Sequence, residues 1–179
     1  MTDSLEQLLA PDGLDNLTTR PIAELRELRV ACTRVEADVS LARRVAQGRL
    51  DIVGHEVQRR NGDEQGEAEL NGLLFDLPDI LADSPTTGPP SGRPVNVNEP
   101  GPVALDLVAR LDSAASPSQL ASVSDLDDSA LGELFDGIRS FELELSSVRR
   151  QLHERIDSIQ SEIGRRYRDG ETSIESFIS

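Results

Sequence analysis

Ten polar residues of this 179-residue chain fall into two sets of five with the same spacing. The first is Glu36, Ser40, Arg43, Gln47 and Asp51; the second is Glu142, Ser146, Arg149, His153 and Asp157. Both read E-x3-S-x2-R-x3-[Q/H]-x3-D, the second copy starting at Glu142 where the first starts at Glu36, an offset of 106 residues. Four of the five positions keep their residue type. These types suit a guanine nucleotide: Arg donates two parallel hydrogen bonds to guanine O6 and N7, a carboxylate accepts from guanine N1 and N2, and Ser and Arg satisfy phosphate oxygens. On a helix, steps of three and four residues keep each set within about 80°, as one polar stripe. Arg44 and Arg150 follow the motif arginines in both copies and are secondary candidates for phosphate contact. With two His and one Cys far apart in sequence, no catalytic or metal-binding constellation accompanies the stripes, which points to a binding protein with no metal and no enzymatic activity.

Two long helices must carry the stripes. After an arm over residues 1–19, with a turn signal at Pro11-Asp12-Gly13, Pro21 suits a first helical turn with Thr18 and Thr19 as candidate caps. No Pro interrupts Ile22 to Arg60, and Asn61-Gly62 supplies a stop, so the segment 20–61 predicts one helix of about 38 residues, about 57 Å long. Residues 62–124 form an acidic connection: short amphipathic helices around Pro78, a flexible Pro/Gly/Ser-rich loop from Ser84 to Pro102, a short helix over 103–112, and loop from Asp112 to Ser118. A second long helix spans 125–170, opening near Asp125 to Ser129 where Ser124 and Asp127 have capping-box-like spacing, and 171–179 is a tail.

Each long helix shows an apolar seam in alternating three- and four-residue steps. The first runs Leu25, Leu28, Cys32, Val35, Val39, Ala42, Ala46, Val53, broken at Arg49; the second runs Phe135, Ile138, Phe141, Leu145, Val148, Leu152, Ile156, Ile159, Ile163. Matched seams predict that the helices pack on each other. Every stripe residue follows an apolar residue by one position, so both stripes stand about 100° round from the seam and face solvent or a ligand. Polar residues beside a coiled-coil seam are common, yet a merely solvated face needs no fixed order of Ser, Arg and Asp, and here the order recurs in the same register. On antiparallel helices the two copies would be related by an approximate two-fold axis, an arrangement that fits a two-fold symmetric guanine nucleotide. Gly48 stands in the interior of the first helix, where either close approach of a base to the backbone or simple tolerance of the glycine would account for it.

The bulk properties limit the partners. A net charge of −15 argues against direct DNA or RNA binding by the whole chain, while arginines concentrate on the stripe-bearing stretches, with 9 in residues 20–60 and 6 in 141–179. The absence of a long apolar run or a signal-peptide layout leads us to expect a soluble, cytoplasmic protein with no membrane association. Cys32, on the seam, reads as a small buried hydrophobe.

The duplicated motif, the run EADVSLARRVAQGRLDIV at 36–53 and the acidic LPDILAD at 77–83 resemble the RsiG-type anti-sigma factors of sporulating actinobacteria. The resemblance implies an all-α fold, two long helices in an antiparallel coiled coil with short accessory helices and a long flexible connection. That topology is beyond the sequence alone, because a connection of more than 60 residues could return along a helix of this length. It also implies binding of cyclic di-GMP, as a dimer, through the ten motif residues, and sequestration of a sporulation sigma factor of the WhiG type. His153 departs from the family's Gln at that position. The competing readings are a structural coiled-coil dimeriser and an RNA-polymerase-binding hairpin, neither with a nucleotide ligand; the long Pro-rich connection argues against the second.

Overall fold

The computed structural model describes residues 3–10, 16–62 and 99–170. Helix α1 spans Asp3–Leu9, α2 Ile22–Asn61, α3 Pro102–Ala114, α4 Pro117–Ala121 and α5 Asp128–Arg168, with a 3-10 turn at Val123–Asp125 before α5. No strand occurs among the described residues. The turn at residues 11–13, the segment around Pro78, the loop beginning at Ser84 and the tail lie outside them.

The two long helices, of 40 and 41 residues and about 60 Å each, pack antiparallel over their whole length. Leu25 near the start of α2 shares a cluster with Ile159 and Ile163 near the end of α5, and Val53 near the end of α2 meets Leu131 and Leu134 near the start of α5. The seams are those the periodicity predicts. Leu25, Cys32, Val35, Val39, Ala42, Ala46 and Val53 are buried on α2, and Ile138, Leu145, Leu152, Ile159 and Ile163 on α5. Arg49, the break in the first seam, is buried as well.

Small residues in the middle of the α2 seam leave room for a third layer. Leu5 of α1 and Val103 and Leu107 of α3 pack into the cluster that holds Val39, Ala42, Leu145 and Leu152. Burying a Leu side chain stabilises by roughly 1.5–3 kcal/mol, so these short helices add to a core that two helices alone would leave thin.

The helix ends differ from expectation in detail. Pro21 itself occupies the N-cap position of α2 with extended backbone (φ −55°, ψ 144°), and neither Thr18 nor Thr19 caps the helix; the Thr19 hydroxyl donates to the Asn16 carbonyl at 3.0 Å. Asp127, not Ser124, caps α5, accepting from Ala130 N at 2.8 Å, because Ser124 lies within the 3-10 turn. The stretch after Asp112 is partly helical: α3 continues to Ala114, and a Ser116–Gln119 capping box starts α4. Gly62 and Gly170, at φ +76° and +71°, end the long helices where the sequence places their stops.

Candidate functional site

The buried seam fixes where the motif residues point. Val35, Val39, Ala42 and Ala46 are buried, so Glu36, Ser40, Arg43 and Gln47, one residue on, stand beside the interface, half-buried, within reach of α5. Glu36 Oε1 accepts from Ser40 Oγ at 2.7 Å on its own helix and from Arg149 Nε at 3.0 Å across the interface, with His153 Nε2 at 3.4 Å. Glu142 Oε1 repeats the pattern, accepting from Ser146 Oγ at 3.0 Å, Arg43 Nε at 2.9 Å and Gln47 Nε2 at 3.4 Å. Arg43 Nε also donates to Ser146 Oγ at 2.9 Å.

Each glutamate therefore meets the serine of its own copy and the arginine and Gln or His of the other. Exchanging the two copies exchanges the two clusters, which is what an approximate two-fold axis through the hairpin requires. The four charged side chains are 14–20% exposed. Among the described residues the terminal Nη groups of Arg43 make no hydrogen bond. Eight of the ten motif residues thus form two cross-helix clusters. Asp51 and Asp157 remain exposed and unbonded among the described residues, on the same stripe one turn beyond Gln47 and His153. Arg44 and Arg150 are exposed too, with Arg44 Nε donating to the Ser40 carbonyl at 3.3 Å, and neither joins a cluster.

The accessory helices lie on the opposite flank, and four anchors set them there. Asp38 accepts from Gly101 N at 2.9 Å, Arg49 donates to the Ala115 carbonyl at 2.6 Å and pairs with Asp112, Glu144 pairs with Arg110 at 3.2 Å, and Arg155 donates to the Leu9 and Ala10 carbonyls at 2.8 Å. Each anchor follows a motif residue by two positions (Glu36, Gln47, Glu142, His153), about 200° round the helix. Helices α1 and α3 therefore leave the stripe face uncovered.

The 106-residue offset does not stop at the motif. Arg49 and Arg155 are related by it, and so are Glu56, Arg59, Arg60 and Glu162, Arg165, Arg166. Glu56 receives bonds from Arg59 and Arg60 at 2.6–2.7 Å, and Glu162 from Arg165 and Arg166 at 2.7–2.9 Å; these hydrogen bonds hold both carboxyls down to about 2. These duplicated residues join the ends of the hairpin. Sequence reasoning passed over them, though their E-x2-R-R spacing in both copies was a readable signal.

An internally duplicated, all-helical antiparallel hairpin, with a reciprocal polar cluster on one flank, is the class of protein these features define. The chain belongs to the RsiG-like family, whose profile matches residues 11–81 and 117–178. Membership supports an anti-sigma-factor role, and with it a sigma-factor partner, at the level of the family. Helix α3 falls between the matched segments. A search of curated proteins returned no match. Among the described residues no helix is long and apolar enough to cross a membrane, and no group of three or more His, Cys, Asp and Glu side chains is placed to hold a metal.

Proposed function

We propose that this chain is a cyclic di-GMP-responsive anti-sigma factor, a regulator without enzymatic activity, that holds a sporulation sigma factor of the WhiG type inactive in the cytoplasm. The observation that carries the reading is the reciprocal pair of clusters, Glu36–Ser40–Arg149–His153 and Glu142–Ser146–Arg43–Gln47, on the flank left open by α1 and α3. A two-fold symmetric ligand meets equivalent groups at both halves of such a face.

In this reading Arg43 and Arg149 turn their guanidinium groups to guanine or phosphate, and Glu36 and Glu142 hold them there through Nε. Asp51 and Asp157 are positioned to take the guanine N1 and N2 hydrogens, and Ser40, Ser146, Gln47 and His153 complete the polar contacts. A stacked pair of cyclic di-GMP molecules brings four negative charges, and the arginines, Arg44 and Arg150 included, supply compensation that an acidic chain otherwise lacks. The sigma factor then docks on a surface made jointly by protein and nucleotide.

Calorimetry with cyclic di-GMP against cyclic di-AMP and GTP, with and without the sigma factor, tests the reading. Selective heat with cyclic di-GMP is expected, and its absence under both conditions would leave a purely structural coiled coil. Co-purification with the sigma factor should be lost in Arg43→Ala; unchanged co-purification would make the nucleotide incidental.

A further inference from the structure

The two copies of the motif differ at a single position, and the difference falls inside the clusters. Gln47 Nε2 donates to Glu142 Oε1 at 3.4 Å, and His153 Nε2 stands at the same 3.4 Å from Glu36 Oε1. The His153 side chain is 45% exposed, yet its Nε2 is shut off from solvent and makes no hydrogen bond. An amide at this place donates at every pH, whereas imidazole exchanges a proton near neutrality and donates from both nitrogens only when charged.

The surroundings decide what that proton does. From α2 the charged group facing His153 is Glu36, which already accepts from Arg149. On α5, Arg149 and Asp157 lie one turn to either side of His153, and Arg150 precedes it by three positions. Helices α1 and α3 lie over the other flank. With neutral imidazole the Glu36 and Arg149 charges cancel; with imidazolium that half carries one positive charge. The Glu142–Arg43 half carries the Gln47 amide where the other half carries imidazole, and an amide has no proton to exchange. A phosphate favours the half that can become positive.

We propose that His153 makes the Glu36–Arg149 half of the face a proton-linked anion receptor. An anionic cyclic dinucleotide bound there draws a proton onto the imidazole, so this half tightens as pH falls from about 8 to about 5.5 while the Glu142–Arg43 half does not respond. The inference rests on the reading that the stripe face binds an anionic nucleotide, and it makes the two halves unequal: near neutrality, proton concentration sets how strongly the second half contributes.

The test is calorimetric titration of the full chain with cyclic di-GMP across that pH range, in two buffers of different ionisation heat, for the natural sequence, His153→Gln and Gln47→His. The natural chain should bind about three- to tenfold more tightly at the acid end, with net proton uptake. His153→Gln should be flat with no uptake, and Gln47→His steeper. The His153 ring resonances should shift on binding at a pH where the imidazole is neutral in the free chain, with His55 as the internal reference. Heat with the same pH profile in the natural chain and His153→Gln overturns the proton link alone. No heat in any protein at any pH overturns the nucleotide reading and the proton link with it.

Discussion

Arg60 and Arg166 stand 106 residues apart in the chain and close opposite ends of the hairpin in the same way. Each bonds through Nε to the glutamate four residues before it, Glu56 or Glu162, at 2.7 Å. Each also reaches backbone carbonyls just ahead of the other long helix. Arg60 reaches Val123 and Ser124 at 3.4 and 3.1 Å; Arg166 reaches Leu17 and Arg20 at 2.7 and 2.6 Å. The approximate two-fold relation thus extends from the polar clusters to the ends of the molecule, and these end contacts help fix the register in which Glu36 meets Arg149 and Glu142 meets Arg43.

Acid should loosen both ends together. Hydrogen bonds from Arg59 and Arg60, and from Arg165 and Arg166, hold the Glu56 and Glu162 carboxyls at about 2, below the ordinary carboxylate value. A carboxyl depressed in the folded state contributes stability that is present above its unfolded pKa and lost as pH falls through the folded one. That contribution should therefore disappear between about pH 4.5 and about pH 2. Urea unfolding of the natural chain and of the Glu56→Gln, Glu162→Gln double variant should show the midpoints converging as pH drops through this window. A constant gap down to pH 2 would mean that the two carboxylates do not carry it.

The clusters also predict a pattern of energetic coupling. Arg43 and Glu142 share a hydrogen bond across the interface, as do Arg149 and Glu36, while Arg43 and Glu36 share none. Double-mutant cycles by urea unfolding should give coupling of about 0.5–1.5 kcal/mol for each bonded pair and near zero for Arg43 with Glu36. Coupling at Arg43–Glu36 equal to that of the bonded pairs would contradict the reciprocal arrangement.

Cys32 should be inert in the folded chain. It is 1% exposed, and burial pushes its thiol up, keeping it protonated. A thiol-reactive disulfide reagent at pH 8 should label it only on the timescale of unfolding, and immediately in urea. Fast labelling under native conditions would show that the α2–α5 seam opens there.

Much of this architecture is legible in the sequence because seam and stripe are both consequences of helical period. Val35 and Glu36, or Leu145 and Ser146, alternate buried and half-buried as their spacing requires. Which glutamate meets which arginine is a different matter: it depends on the register of two antiparallel helices, which tertiary packing sets. Arg49 reads as a flaw in the seam, yet it is buried because it reaches the Ala115 carbonyl, and a backbone acceptor leaves no trace in residue identity. The carbonyls that Arg60 and Arg166 reach are equally silent, although the duplicated E-x2-R-R spacing around those arginines is legible. The capping-box-like spacing points to Ser124 as the cap, and the 3-10 turn ahead of α5, which takes up Ser124, moves the cap to Asp127.

Gly48 separates stability from binding. It lies inside α2, is exposed, and a Cβ built on it would meet nothing within 4 Å. Glycine in a helix interior costs about 1 kcal/mol relative to alanine, and no contact within the described chain offsets that cost. Gly48→Ala should therefore stabilise the free chain by about 0.5–1 kcal/mol, raising Tm by about 1–4 °C. The residue adjoins Gln47, beside the stripe, so a glycine here is either simply tolerated or kept for close approach of a ligand's ring to the backbone, and the proposed function favours the second. The expected outcome is a variant that melts higher and binds cyclic di-GMP more weakly, read by thermal melts and calorimetry on the same protein. A variant that melts higher and binds unchanged would place the nucleotide away from this turn of α2.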